Sequence, residues 1–296
     1  MKKINKIIAV LFFIIVSGTI TKAQLNPNGA QYYVNQYLAN PALAGSVEGV
    51  RINGGYRALW NNIPGAPVSQ SITGEYGFNR VGLGLNVSNE SSGLLRQTRV
   101  VATYAYHINL DSYGNQLSFG VSGGFMSQRL DQTDLQGNAN DPMIGLYNSR
   151  KTYVDGDFGV AYTSKSLTVQ AAIPNLKSFF KKDVIKLADE STFYSAISYK
   201  ISLGAGINTV VAEPKFAYRG VRGFDNMWDA GLQVGIADQQ IFFTGLYHST
   251  ESATMGFGMD FKKKYLVSGL YTTQTSALSG YTNGSFELNL RLSLGK

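Results

Sequence analysis

From Ser285 to Leu294 the chain alternates without a fault. Phe286, Leu288, Leu290, Leu292 and Leu294 fall on one parity, and Ser285, Glu287, Asn289, Arg291 and Ser293 on the other. Side chains on a strand point to opposite faces in turn, so this stretch has one apolar and one polar face. The pattern recurs along the chain. Val68, Ile72, Tyr76 and Phe78 oppose Ser69, Ser71, Thr73 and Glu75, and Val81, Leu83, Leu85 and Val87 oppose Gly82, Gly84, Asn86 and Ser88. Further runs bring the expectation to about 14 strands. Two runs, around 241–247 and 265–271, are apolar on both parities, so the pattern does not assign their facing.

A soluble antiparallel sheet and a membrane barrel both alternate in this way. The spacing between runs separates them. Tight connections fall near 77–80, 111–115, 163–165, 203–205, 237–239 and 262–264. Longer ones fall near 61–67, 89–97, 127–151, 174–191, 220–226, 248–252 and 274–283. The two sets alternate, as they do in outer-membrane barrels. The expected fold is therefore all-β: a closed antiparallel transmembrane β-barrel of about 14 strands over 46–296, with short periplasmic turns and longer extracellular loops. An N-terminus on the periplasmic side places the longer set outside. Residues 24–45 are not strand-like and predict an ordered segment, a short helix and a turn.

Composition agrees with this picture. Only 15% of the 296 residues are charged, whereas 12% are aromatic, which suits an aromatic-girdled barrel better than a soluble surface. The absence of cysteine excludes a disulfide scaffold, a thiolate metal site and a catalytic thiol. Lys2, Lys3 and Lys6 precede an apolar run over 7–16, and Thr21-Lys22-Ala23 ends in a small residue. Residues 1–23 thus read as a signal peptide cut before Gln24. Its removal takes four lysines and no acid, so the net charge falls from +7 to +3. The high pI then belongs partly to the leader, and no nucleic-acid partner follows from it.

Candidate chemistry is sparse. His107 and His248 are the two histidines, and neither sits in a nucleophile motif. An outer-membrane hydrolase would need one of them. No cofactor motif is present. The expected lumen face carries Arg51, Arg57, Arg99, Lys215 and Arg291 with Glu75, Glu213, Asp229, Asp260 and Glu287. Mixed signs predict a crosslinked interior rather than a one-sign ion filter. A barrel of this size is hollow unless something fills it. Two outer loops are candidate partner contacts: 127–151, with Asp131 and Asp134, and 174–191, with Phe179, Phe180, Lys181 and Lys182. The lysines of the second could also meet lipid phosphates.

One block is distinctive. Gln36-Tyr37-Leu38-Ala39-Asn40-Pro41-Ala42-Leu43-Ala44-Gly45-Ser46 resembles the opening of the PorP/SprF family. Tyr56-Arg57, Trp60, Gly65-Ala66-Pro67 and Gln70 are similar to its next signature, and Gly82-Leu83-Gly84-Leu85 continues it in order. The resemblance implies an outer-membrane component of type IX secretion and gliding motility, a partner of secreted proteins rather than an enzyme. It implies binding to the C-terminal domain of a secreted surface protein or adhesin, to help export it or anchor it, and contact with a periplasmic lipoprotein and outer-membrane lipid. Tyr37, Asn40, Pro41 and Gly45 carry the motif, in a segment expected to plug the lumen or face the periplasm. The other reading of the residues is a passive porin or transporter.

Overall fold

The structure is a computed structural model. It describes residues 29–60, 62–131, 148, 152–176, 191–204, 209–221, 225–275 and 282–295. The leader expected over 1–23 lies outside them, as do Asp134, Phe179, Phe180, Lys181 and Lys182.

Among the described residues there are fourteen strands: β1 (Gly49–Leu59), β2 (Val68–Phe78), β3 (Val81–Ser92), β4 (Leu95–Asn109), β5 (Gln116–Leu130), β6 (Tyr153–Thr163), β7 (Leu167–Ile173), β8 (Ser191–Tyr199, continued by Ile201–Leu203), β9 (Val210–Val221), β10 (Met227–Ile236), β11 (Ile241–His248), β12 (Ser252–Phe261), β13 (Tyr265–Thr272) and β14 (Ser285–Leu294). β8 breaks at Lys200, whose N–H donates to the Ser166 carbonyl in the β6–β7 turn. Each strand pairs antiparallel with its neighbours in sequence, and β14 closes on β1 from Leu59–Ser285 to Val50–Leu294. Closure is what lipid demands, because a free edge would leave backbone N–H and C=O groups unpaired in hydrocarbon.

The outward face is a continuous apolar belt. Ile72, Val121, Phe125 and Met255 are 62%, 52%, 59% and 72% exposed, values that are untenable in water over so large an area. The inward face holds the polar parity, with Asn53, Thr73, Thr103, Ser118, Gln170 and Asn289 buried. The ambiguous strands resolve: Phe242, Leu246, Leu266 and Leu270 point inward and are buried, while Phe243, Tyr247, Val267 and Tyr271 point outward.

The connections differ in part from expectation. The β3–β4 link is a two-residue turn at Gly93 and Leu94, because both strands run on past the expected loop. The β11–β12 link is only 249–251. Conversely, the β8–β9 connection spans 204–209 and is longer than a tight hairpin turn.

The N-terminal segment is inside the barrel. It forms three single 3₁₀ turns, Gln31–Tyr33, Gln36–Leu38 and Pro41–Leu43, rather than one helix and a turn. Its N–H at Ala30 meets Glu287 near the long-loop end of β14, and it leaves at the short-turn end beside the β2–β3 turn. The described chain thus descends through the lumen into β1.

Small wall residues make room for this descent. A Cβ on Gly82 would lie 1.9 Å from the Ala44 carbonyl oxygen, and one on Gly120 would lie 2.3 Å from the Pro41 carbonyl. Gly120→Val should therefore destabilise the protein by about 1–3 kcal/mol through overpacking. Gly54→Ala, where an added Cβ meets nothing within 4 Å, should be near neutral. Urea unfolding of the two variants, followed by barrel mobility in gels, checks the contrast.

Candidate functional site

The lumen and the segment that fills it form the candidate site. Asn40 shows how the motif works. Its Oδ1 accepts from the Ala42 N–H at 2.9 Å and caps the third 3₁₀ turn, with Pro41 at the first position. Its Nδ2 donates to the Val160 carbonyl at 3.1 Å, and to the Ala171 carbonyl and Gln170 Oε1 at 3.3 Å. One fully buried side chain thus fixes the plug's own turn and ties it to β6 and β7. Gly45 takes φ +61° at the exit, and its N–H donates to Glu75 Oε2 at 3.1 Å. Tyr37 reaches Thr103 at 2.7 Å, and Thr103 reaches Ser122 at the same distance.

The upper end is held by charge. Both Glu287 oxygens accept from the Ala30 N–H at 3.0 Å, and Arg57 pairs with the same carboxylate at 3.4 Å. Tyr32 donates to Asp229 Oδ2 at 2.7 Å. Asp229 also pairs with Arg219 and with His248 Nδ1, the latter at 2.6 Å. Tyr32 packs edge-on to Tyr194, with centroids 5.9 Å apart, and the Lys215 ammonium lies 4.2 Å from the centre of the Tyr33 ring. Leu246 and Leu270 complete this cluster with Ala30, Tyr32 and Tyr33.

The remaining lumen residues of the sequence reading also face inward. Arg99 pairs with Asp157 at 2.6 Å, and Arg291 with Asp260. Arg51 stands opposite Glu75 in the β1–β2 register, and Glu213 opposite Gln233 in the β9–β10 register. Asp131, just past the end of β5, pairs with Arg96 at 3.6 Å. Alternation alone did not mark Leu246 and Leu270 as the seat of Tyr32 and Tyr33. The two-faced runs were the available signal: an inward apolar side chain needs an apolar occupant.

His248 bridges Asp229 and Thr254, with Nε2 at 2.7 Å from Thr254 Oγ1. The row imitates a hydrolytic relay. Its hydroxyl is 1% exposed and lies 2.6 Å from Thr272 Oγ1, so a substrate carbonyl has no approach. His107 sits between Ser118 and the Ala44 carbonyl, at 2.8 and 3.1 Å, and likewise braces the plug. Among the described residues no group of three or more His, Asp or Glu side chains is placed to hold a metal.

The plug does not fill the whole lumen. A cavity of about 290 Å³ remains between it and the walls of β1–β7, lined by Gln31 and Tyr37 from the plug and by Asn86, Ser88, Arg99 and Met126 from the wall.

The profile of the family described as type IX secretion system membrane protein PorP/SprF matches residues 21–292. The chain belongs to the PorP/SprF family. It is thus a membrane component of type IX secretion, an outer-membrane, multi-pass β-barrel. The family motif coincides with the plug, from Gln36 to Gly45, and the paired glycines at 82 and 84 lie beneath it. The sequence matches no curated protein. Among solved structures, the toluene transporter TbuX of Ralstonia pickettii is similar at TM-score 0.52 and 12% identity, over 94% of this chain and 96% of its own. The outer membrane protein Omp33 of Acinetobacter baumannii is similar at TM-score 0.50 and 6% identity, over 84% of this chain and all of its own. At such identities the likeness concerns the barrel alone.

Two outcomes follow from the site. Asp229→Ala should cost about 3–5 kcal/mol, because it strands the buried Arg219 charge and frees Tyr32. Tyr32→Phe, which keeps the ring, should cost only about 1–2 kcal/mol. Equilibrium unfolding of both variants reads the difference. Burial also pushes the hydroxyls of Tyr32, Tyr33 and Tyr37 well above the usual tyrosine range. A raised folded value means their contribution is fully present below about pH 10, where unfolded tyrosine ionises, and is lost as pH rises beyond it. In an absorbance titration of the folded barrel, at least these three of 18 tyrosines should stay protonated until the protein unfolds.

Proposed function

We propose that this barrel is a closed, non-enzymatic scaffold that binds the C-terminal domain of an exported surface protein or adhesin, helping to export it or to hold it at the cell surface. The observation that carries this reading is the lumen's occupant. The chain occupies its own passage with residues pinned at the long-loop end by Glu287 and Asp229 and at the short-turn end by Glu75. A passage held shut by several charge-assisted hydrogen bonds suits a docking platform better than a conduit. The long-loop side is where an exported domain would be met, with 127–151 and 174–191 as the proposed contacts. The short-turn side, where the plug emerges at Gly45, is where a periplasmic lipoprotein of the machinery would dock. The apolar belt supplies the contact with outer-membrane lipid.

The porin reading makes the opposite demand, a continuous wet path. Purified protein in planar bilayers should show little steady conductance; open-porin currents would favour transport instead. Tagged barrel drawn from native membranes should bring with it an exported protein through that protein's C-terminal domain. Deleting 174–191 should weaken that capture while leaving the barrel folded, and unchanged capture would remove that loop from the account.

A further inference from the structure

The residual cavity beside the plug has the chemistry of a peptide site. We propose that it receives a short, extended, uncharged peptide segment entering from the long-loop side. This rests on the function proposed above and locates on this chain the place where the exported partner is gripped.

Position comes first. The cavity is lined by Ser92, Leu95 and Pro174 at the long-loop ends of β3, β4 and β7, and its floor is the plug. A ligand therefore arrives from outside and stops on residues 31–41. Its volume is at the small end of ligand pockets, which admits a few residues and no folded domain.

The electrostatics select for neutrality. Arg99 pairs with Asp157, whose same oxygen also accepts from the Asn175 N–H at 3.0 Å, Arg57 pairs with Glu287, and Glu90 adds a further carboxylate to the lining. Two arginines, Arg57 and Arg99, and two acids, Glu90 and Asp157, line the cavity, so their signs balance and an ionic ligand would lose its hydration with little net attraction in return.

Among its neutral lining side chains, the cavity leaves one donor and one acceptor unanswered. Gln31 is 6% exposed; its Oε1 accepts from Ser71 at 3.5 Å, but its Nε2 has no partner among the described residues. Asn86 Oδ1, on β3, has none either. A peptide unit carries one C=O and one N–H, the complement of this pair. An unpaired buried polar group is costly, and a bound peptide would recover that cost at both positions. Ser69, Ser88 and Ser91 can meet further polar atoms, and Leu59, Val101 and Met126 offer contact to an aliphatic side chain. A sugar is less well served. Tyr37, the lining aromatic, is buried, so it presents no open ring face for stacking.

The test places a photo-crosslinking amino acid at Ser88 in the full-length protein in native cells, with Leu83 on the lipid face as control. The Ser88 adduct should map by mass spectrometry to an uncharged stretch within the C-terminal domain of an exported protein, and the Leu83 adduct should not. Ser88→Phe, which fills the cavity, and Asn86→Leu, which removes the acceptor, should each lower co-purified partner roughly tenfold. Heat-dependent gel mobility verifies that both barrels are folded. Adducts confined to lipid, polysaccharide or a charged segment overturn the inference, as does undiminished capture by both variants. If the partner co-purifies but never crosslinks at Ser88, the cavity assignment falls and the scaffold reading stands. If no exported partner co-purifies at all, the scaffold reading itself falls.

Discussion

The fit of residues 29–45 against the inner wall governs the rest of this structure. A fourteen-stranded barrel must turn its apolar parity to lipid, and that leaves a polar interior too wide for its own side chains to fill. Here the chain supplies the filling. Tyrosines meet inward leucines on one side, backbone meets glycine on the other, and buried carboxylates take the free N–H groups at both ends. Each feature is costly alone. An inward leucine, a fully buried glutamate and a wall glycine would each weaken an empty barrel, and they become consistent only with the segment in place.

Membership in a secretion family gives this arrangement a purpose. A barrel that must remain in the outer membrane while proteins are exported should not leak. The network around Asp229 shows how a lumen can carry reactive-looking chemistry sealed inside its wall. Aspartate, histidine and threonine line up at hydrogen-bonding distances, yet the hydroxyl is sealed. Asp229, at the other end, accepts from Tyr32 of the plug, so the row acts as a clamp.

The sequence made some of this legible and hid the rest for identifiable reasons. Strict alternation, as in Ser285–Leu294, reports facing directly, so the belt and the lumen parity could be read locally. The charged lumen residues could be read one at a time, but not their pairing. Arg57 and Glu287 meet only because β14 closes on β1, which is a property of the whole ring. Leu246 and Leu270 defeated the pattern because their environment is neither lipid nor water but a tyrosine cluster from a distant segment. Loop lengths misled where β3 and β4 ran on past the expected rim, since Asn89, Glu90 and Gln97 look like loop residues yet continue the ladder.

Hydrogen exchange tests the resident plug most directly. Amides of 30–45 should be protected as strongly as those of β4 and β5 in the folded, membrane-embedded protein, because the segment opens only when the barrel does. Exchange of that segment within seconds, beside strands that stay protected for hours, would contradict the account and describe a passage that opens while the wall remains intact.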